Sequence, residues 1–501
     1  MRTLLLYRIL LNRLRFIILS SLLILACIIT TSKVLANDTG KEESANAVAT
    51  EEKGDKHHSD DDHSRLSDQP TPLQLEDFPN RPRPIFEWPA RFLGNGNLLK
   101  GFKIPTGAVW QPYFVVFGTY RTAVQHFDPA PQAARSEWAN NFNLFANLYL
   151  TFTERILIGF QPFQQDGEFS GYNFKPEDGT DGWRDRTNFN IRTLFFEGDF
   201  GELFPFLDPD DKWHWDLGFS VGRQLISFQE GLLINDNIDA VGLTTVNLKP
   251  PTTINTRVTL LYSWNDIHRT GFTGNNFEDE NASLFGLLTE TDWRKSTVAI
   301  DVVYVNSNTF GGDGLYFGID AVQRLGFYST SFRVTGSVPI GDETEFNRDG
   351  LIAFAEISRT PFGTHNHLYL NAYYGYKNFR SAARAPAAGG PLGRTGILFA
   401  AVGLGRYGAP LSNFADESFG GALGYQMFFA HNRKQLILEG GGRYATDNFG
   451  QRALAAGARY QMAVGQRLVT VLDGFGSYHL NRGVGDNEFR FGGRLEVLVK
   501  F

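Results

Sequence analysis

The sequence has very little cysteine and little histidine. Cys27 is the only cysteine, so the chain cannot form an intramolecular disulfide, and without a Cys-x-x-Cys-His motif it cannot attach a c-type haem covalently. No nucleophile motif accompanies its 10 histidines. A hydrolase needs a nucleophile, a base and an orienting group together. The sequence therefore predicts neither an enzyme nor a bound cofactor.

Long apolar runs are absent after residue 36. No stretch there approaches the roughly 18 consecutive apolar residues of a membrane-spanning helix, so helical membrane spans are excluded. The first 36 residues differ, because arginines from Arg2 to Arg15 precede an apolar run at 16–29 and a small-residue cleavage site at Val34-Leu35-Ala36. This pattern predicts a secretory signal peptide over 1–36. The run is short for a transmembrane anchor. A lipoprotein signal ending at Cys27 is disfavoured because its usual leucine is missing.

Residues 37–107 contain little that could form a core. Acidic clusters such as Asp60–Asp62 dominate up to about residue 69, and prolines recur from Pro70 to Pro105. We expect a disordered acidic segment and then an extended proline-rich segment, both in the periplasm and available to a periplasmic partner. Three histidines in the acidic part are weak candidates for a metal site, the alternative being a solvated tail that happens to contain them: His57, His58 and His63.

The positive signal is an inverted alternation in the segments after residue 108, and the last one shows it best. In 488–501 the odd positions, from Phe489 to Phe501, are apolar or glycine, whereas the charged residues occupy even positions. Successive side chains of a strand point to opposite faces. In an outer-membrane barrel the apolar face meets lipid and the polar face a wet lumen. The terminal Phe501 resembles the end of the strand that such proteins present to the barrel assembly machinery.

Similar segments recur from about residue 108 onward, and we count about 18 of them, with a range of roughly 16 to 20. The predicted fold is all-β, a transmembrane up-and-down antiparallel β-barrel over 108–501. Short connections such as 249–252 alternate with long ones such as 164–186 and 227–237, and in outer-membrane barrels the short turns face the periplasm. The connection 200–212 is the exception, because it is long although it lies at the rim where the other connections are short.

These features predict a location in the outer membrane of a Gram-negative bacterium, in contact with its lipid and lipopolysaccharide. No nucleic-acid partner is expected. A barrel of this size is too wide for its own side chains to fill, so its lumen holds water, an inward loop or a partner.

The predicted lining of the lumen is rich in arginine, with acidic residues between. It comprises Arg192, Arg257, Asp301, Asp320, Arg324, Arg333, Glu439, Arg443, Arg490, Arg494 and Glu496, with Asp216, Arg459, Asp473 and Glu488. Arginines in a pore favour anions, and acidic neighbours keep their binding weak enough for release. The alternative is a set of cross-strand ion pairs that only stiffen the wall.

The long connection 379–415 adds further positive charge. It contains Arg380, Arg384, Arg394 and Arg406, with no acidic residue before Asp416. If it folds inward, these arginines form a positive constriction; if it stays outside, it is a solvated loop. The apolar stretch 397–404 favours the inward position, because such a stretch is unsuited to water.

One segment resembles a known family. Gly222-Arg223-Gln224 ends a predicted strand, a glycine-containing loop follows, and the next strand contains Asp236 and Asp239-Ala240. This resembles the strand–loop–strand of the alginate-export family of outer-membrane porins. The resemblance implies a barrel of about 18 strands with an electropositive lumen for a polyanionic polysaccharide, and Arg223 and Gln224 on the channel wall. Strict alternation instead places Arg223 on the lipid side, unless a bulge or the membrane rim accommodates it.

Three functions are compatible with this sequence. The favoured one is passage of an anionic or carbohydrate-like solute, or a polysaccharide, through the lumen. The second is a sheath around a partner protein such as a multihaem electron-transfer cytochrome. An outer-membrane enzyme is the third and has the least support, because no catalytic constellation is present.

Overall fold

A computed structural model describes most of the chain after residue 82. The described residues are 83–89, 100–129, 132–165, 167–175, 182–207, 209, 216–271, 276–309, 311–400, 403–447, 452–480 and 487–501. The predicted signal peptide, the acidic segment and the candidate metal residues His57, His58 and His63 lie outside them. None of the helices in the described part of the chain has the length and apolar character of a membrane span.

The described residues form a closed antiparallel β-barrel of 18 strands. Each strand pairs with the next, and the last pairs with the first through partners such as Val497 and Thr122. The predicted fold class is thereby confirmed.

The strands of the barrel are labelled here in chain order. They are β1 (Tyr113–Asp128), β2 (Arg135–Tyr149), β3 (Arg155–Phe160), β4 (Ile191–Asp199), β5 (Leu217–Phe228), β6 (Ile234–Leu248), β7 (Asn255–Trp264), β8 (Ser283–Asp292) and β9 (Ser296–Asn306). The second half comprises β10 (Asp313–Leu325), β11 (Tyr328–Ile340), β12 (Gly350–Arg359), β13 (His367–Lys377), β14 (Ser418–Phe429), β15 (Lys434–Ala445), β16 (Arg452–Val464), β17 (Leu468–Leu480) and β18 (Glu488–Lys500).

The barrel is polar inside and apolar outside. In β15, Leu438 and Tyr444 are exposed on the outer surface, whereas Glu439 and Arg443 are only 4% and 9% exposed. The same alternation makes Val124, Leu260, Leu423 and Leu495 exposed on other strands. An outer surface of aliphatic and aromatic side chains suits the hydrocarbon of a bilayer, as in outer-membrane barrels.

The two rims of the barrel differ in the length of their connections. One rim, the short-turn rim, carries connections such as 293–295, 326–327 and 465–467. The first strand, β1, begins at this rim, and the last strand, β18, ends there. The opposite long-loop rim carries the connections 161–190, 265–282 and 378–417. This agrees with the predicted alternation, except that the connection expected at 227–237 is confined to 229–233, because β6 begins earlier than predicted.

The connections contain short strands, 3₁₀ turns and an α-helix. The short strands are Phe86–Trp88, Phe102–Lys103, Val109–Trp110, Gln164–Gln165, Glu168–Lys175, Gly182–Arg184, Ile267–Thr270, Asn276–Asp279 and Ala383–Arg384. The 3₁₀ turns are Gln229–Gly231, Pro386–Ala388 and Pro391–Arg394, and the α-helix α1 spans Phe200–Leu203. Asp199 caps α1 by accepting a hydrogen bond from the amide of Gly201 at 2.8 Å, which explains why the chain turns where β4 ends.

Two segments extend the apolar outer surface at the short-turn rim. Phe86–Trp88 pairs with Phe114–Val116 of β1, on the stretch of that strand that lies beyond the end of β18. Phe200 of α1 packs against Phe219 with ring centroids 4.7 Å apart. The described start of the long connection after β4 therefore adds aromatic side chains to the outer surface at this rim.

Candidate channel lining and constriction

The connection between β13 and β14, residues 378–417, folds into the barrel and is called the inward loop here. Its Leu398, Phe399, Leu404, Tyr407 and Leu411 are at most 2% exposed. These residues pack against the inner face of the wall, so the apolar stretch avoids water as its composition requires.

Polar groups of the wall hold the backbone of the inward loop. The carboxylate of Glu439 on β15 accepts hydrogen bonds from the amides of Ile397 at 3.1 Å and Leu398 at 2.8 Å. On β2, the carboxylate of Glu137 accepts one from the amide of Arg406 at 2.7 Å. Because β15 and β2 lie several strands apart, the loop follows a broad arc of the inner wall.

The start of the inward loop reaches a different part of the wall. Ala383–Arg384 pairs in parallel with Ile234–Asn235 at the beginning of β6. The neighbouring turn Gln229–Gly231 also lies inside, where the Gln229 amide donates to Asp301 on β9 at 2.7 Å. The loop and this turn together narrow the lumen between β6 and β13.

Several predicted lining residues form buried ion pairs beneath the inward loop. The guanidinium of Arg494 lies 2.6 Å from the carboxylate of Asp473 and also contacts Glu496, with all three side chains at most 6% exposed. Arg121 donates two hydrogen bonds to Glu496, at 2.7 and 2.9 Å. Tyr407 of the loop covers this group and donates to Asp473 at 3.1 Å. We call this region the covered wall.

Other predicted lining residues remain accessible. Arg257 on β7 and Glu290 on β8 form an ion pair at 3.1 Å with side chains 49% and 42% exposed. They lie on the same face as the buried Leu261 and Leu288, so they point into the barrel rather than to lipid. Arg324 on β10 is exposed as well and donates to the carbonyl of Gly326 at 3.2 Å. We call this region the open wall.

The remaining predicted residues are held by near neighbours. Arg333 pairs with Asp320 at 2.9 Å, and Arg490 pairs with Glu488 at 3.3 Å. The guanidinium of Arg443 donates to the carbonyl of Phe414 in the inward loop. Arg192 lies where the pairing of β3 with β4 shifts register, so simple alternation does not fix its face.

The arginines of the predicted constriction lie in different surroundings in this structure. Arg380 is buried against Asp416 at 2.7 Å, and buried Arg384 donates to backbone carbonyls, including that of Gly231 at 2.6 Å. Neither presents its charge to the lumen, because each satisfies the folded loop itself. Arg406 is 39% exposed beside Glu168, and the side chain of Arg394 lies outside the described residues.

The segment that resembles the alginate-export family also differs from the expectation. Arg223 lies on the outward face with exposed Val221 and Leu225, and it is neutralised by Asp239 at 2.8 Å and by Asp266. The position implied by the resemblance, on the channel wall, is therefore corrected by the alternation of the strand. Gln224 lies on the opposite face, where it accepts a hydrogen bond from Ser220 at 2.6 Å.

Gly222 and Asp236 have structural roles in the same segment. Gly222 has a φ of +126°, and a Cβ there would lie 2.2 Å from the carbonyl oxygen of Leu194. Asp236 is fully buried and accepts hydrogen bonds from the amide of His268 at 2.8 Å and from its Nδ1 at 2.9 Å.

His268 lies outside the barrel strands, in the hairpin formed by Ile267–Thr270 and Asn276–Asp279. Burial alone would lower the pKa of His268, but the hydrogen bond and charge of Asp236, with the charge of Glu278, outweigh it and raise the pKa. Arg192 opposes this effect. Burial also raises the pKa of Glu278.

Sequence reasoning missed several residues that hold the inward loop. Gln125 accepts a hydrogen bond from the amide of Leu404 at 3.2 Å, and Glu137 accepts one from the amide of Arg406, yet neither residue is among the predicted lining residues. The signal was the alternation Arg121, Ala123, Gln125, which continues β1 to Asp128. Nothing in the sequence indicated the contact of Gln229 with Asp301.

Comparison with known proteins supports the architecture. No family model matches this chain, and no curated protein matches it. Among solved structures, a BenF-like porin from Pseudomonas fluorescens Pf-5 superposes with a TM-score of 0.51 at 10% identity, over 77% of this chain and 98% of that one. Acinetobacter baumannii OccAB2 gives 0.50 at 10% identity, over 77% and 98% of the two chains. Pseudomonas aeruginosa OccK2 (OpdF) gives 0.50 at 12% identity, over 77% and 97%.

At these identities the likeness shows the fold alone. The closed barrel of 18 strands and its apolar outer surface indicate a protein of the Gram-negative outer membrane.

Proposed function

We propose that this protein is an outer-membrane channel for a small polar solute, anionic or carbohydrate-like. The observation that carries the proposal is the inward loop, which narrows a lumen whose wall is lined with charged and polar side chains. A barrel of 16 to 18 strands leaves an aqueous passage, and an inward segment converts a wide passage into a selective one. One of the solved structures with this fold is described as a BenF-like porin.

The narrowing favours a small solute over a polysaccharide or an enclosed protein. A sheath needs its interior free for the partner, but here the loop packs on both β2 and β15 and its early part pairs with β6. We place the short-turn rim in the periplasm, as in other outer-membrane barrels. The segment 37–107 then precedes the barrel on that side, and a periplasmic partner for it is part of the proposal.

Conductance across a planar lipid bilayer tests the proposal. We expect stepwise currents from the purified barrel, and currents several-fold larger when residues 386–412 are replaced by a short Gly-Ser linker. The shift of gel mobility on heating provides the control that the shortened variant still forms a barrel. Silence of both proteins, with folding intact, would contradict a channel. Silence broken only by addition of a second protein would support the sheath.

A further inference from the structure

The two rims of the barrel differ in charge as well as in the length of their connections. Six successive connections of the short-turn rim, between β6 and β17, contain no acidic residue. They are 249–254, 293–295, 326–327, 360–366, 430–433 and 465–467. On the opposite rim, the connections 265–282 and 341–349 each contain four acidic residues and one arginine. The short-turn rim is therefore positively charged along a continuous arc.

Seven basic side chains lie along this arc, and we call them the basic rim. They are Lys249, Arg294, Lys295, Arg359, Arg433, Lys434 and Arg467. Those in the connections are exposed. Arg359 and Lys434 belong to strands, and the alternation of β12 and β15 places both on the outward face, as it does the exposed Leu438. The basic rim thus follows the edge of the lipid-facing surface and lies outside the lumen.

The cations of the basic rim have no carboxylate partner within the described part of the chain. The contacts that they make are with neutral oxygens. Arg433 donates to the carbonyl of Gly465 at 2.5 Å, and Arg359 donates to the hydroxyl of Tyr328 at 3.4 Å. On the inner wall, by contrast, Arg494 lies 2.6 Å from a carboxylate. The basic rim therefore presents positive charge that the protein itself does not neutralise.

Exposed aromatic side chains lie beside these cations. Phe429 faces Lys434 across the pair β14 and β15, and the guanidinium of Arg359 lies 5.6 Å from the ring centroid of Tyr328. Trp293, in the connection that follows β8, is exposed too. Aromatic girdles mark the boundary between hydrocarbon and headgroups in outer-membrane barrels, because one end of each ring system is apolar and the other is wet. The basic rim therefore lies at the level of the headgroups.

The distribution of the charges indicates which partner the basic rim fits. The cations are spread over five of the six connections and two strand ends, so they suit many small anions side by side along the membrane edge. Phosphate oxygens accept short, charge-assisted hydrogen bonds from guanidinium and ammonium groups. Anionic headgroups also attract lysine and arginine side chains that lie close to the membrane surface. Lipid phosphates meet both conditions at this depth.

We propose that the basic rim binds the headgroups of anionic phospholipids in the leaflet at the short-turn rim. The phosphates accept hydrogen bonds from the lysine and arginine side chains, while the neighbouring aromatic rings contact the upper part of the acyl chains. This binding fixes the depth and tilt of the barrel in the bilayer. It goes beyond the proposed channel function and does not depend on conduction.

Native mass spectrometry of the detergent-solubilised protein tests the proposal. The probes are phosphatidylglycerol, which is anionic, and phosphatidylcholine with the same acyl chains. We expect the protein to retain several molecules of phosphatidylglycerol in preference to phosphatidylcholine. Combining Arg294→Gln, Lys295→Gln and Arg433→Gln should weaken the retention about fivefold for each charge removed. Arg186→Gln, which removes a 40% exposed arginine from the long-loop rim, is the control for Arg294→Gln and leaves retention unchanged.

Three results would overturn the proposal, provided that the shift of gel mobility on heating shows each variant to be folded. The first is equal retention of the two lipids, or undiminished retention of phosphatidylglycerol by the triple variant. The second is displacement of the lipid by millimolar inorganic phosphate, which would indicate a site for free phosphate. The third is tighter binding of polyglutamate than of phosphatidylglycerol vesicles, which would indicate an acidic polypeptide as the partner.

Bilayer currents measured on the same proteins report separately on the channel. Retention of phosphatidylglycerol by a protein that never conducts would overturn the channel and support the basic rim. Currents from a protein that shows no preference for phosphatidylglycerol would support the channel and overturn the basic rim.

Discussion

The covered wall and the open wall carry the same kind of ion pair in opposite surroundings. Arg494 and Asp473 are at most 6% exposed beneath Tyr407, whereas Arg257 and Glu290 are 49% and 42% exposed. A buried pair has lost its hydration and depends on its partners, but an exposed pair exchanges protein contacts for water at little cost. The comparison teaches that charge on the inner wall is structural where the loop covers it and available to solutes where it does not.

The largest effect is expected from breaking the covered wall at Arg494. In Arg494→Met, Asp473 and Glu496 lose their shared cation while both stay buried, which costs about 3–5 kcal/mol. We expect a lower unfolding midpoint in the heat-modified gel shift. Arg257→Met on the open wall is the control and changes the midpoint little. Equal losses for the two variants would contradict the distinction between the walls.

The next largest effect is expected from removing Glu439, the residue of the wall that accepts hydrogen bonds from the backbone of the inward loop. Glu439→Ala leaves the amides of Ile397 and Leu398 without their acceptor, at a cost of about 1–3 kcal/mol each if they stay buried. The loop relieves this cost by leaving the wall, so we expect a larger and noisier single-channel conductance. Glu290→Ala, on the open wall, removes the carboxylate that pairs with Arg257 and serves for comparison. An unchanged conductance in Glu439→Ala would show that the loop is held elsewhere.

A smaller effect depends on pH at the hairpin that carries His268. Its pKa is raised in the folded protein above the ordinary value of about 6.5. A raised pKa stabilises the fold fully below the unfolded value, and this stabilisation is lost as the pH rises through the folded value. Glu278, whose pKa burial raises, acts in the same direction at lower pH.

We therefore expect faster hydrogen exchange in 267–270 and 276–279 above neutral pH, after correction for the intrinsic rate. His268→Gln removes most of this dependence. A hairpin that becomes better protected as the pH rises would contradict the assignment.

Substitutions on the open wall are expected to change stability least. They should still change the ion selectivity of the channel by a measurable amount. Arg257→Gln and Glu290→Gln each remove one exposed charge, at a cost within about 1 kcal/mol. Their reversal potentials in a salt gradient should move in opposite directions, Arg257→Gln toward cations and Glu290→Gln toward anions. Arg494→Gln, if it folds, gives the comparison on the covered wall. Identical reversal potentials for all three would show that solutes do not pass the open wall.

The sequence was sufficient for the barrel because each strand carries its own signal. Alternation with period two reports which face meets lipid, and it placed Arg223 outward where the family resemblance placed it on the channel wall. The contacts of the inward loop could not be predicted in the same way. Glu439 and Leu398 are far apart in sequence and on no common strand, and the burial of Arg384 depends on carbonyls that only the folded loop brings together.

The strand Phe86–Trp88 has a consequence for how the cylinder is sealed. The last strand, β18, does not pair with the first residues of β1. The segment Phe86–Trp88 forms the backbone pairing there instead, at Phe114–Val116. Two segments on opposite sides of β1 in the sequence therefore close the barrel along this strand. Truncation before Tyr113 would leave the first residues of β1 without a paired strand, so the segment before the barrel is part of the folded structure.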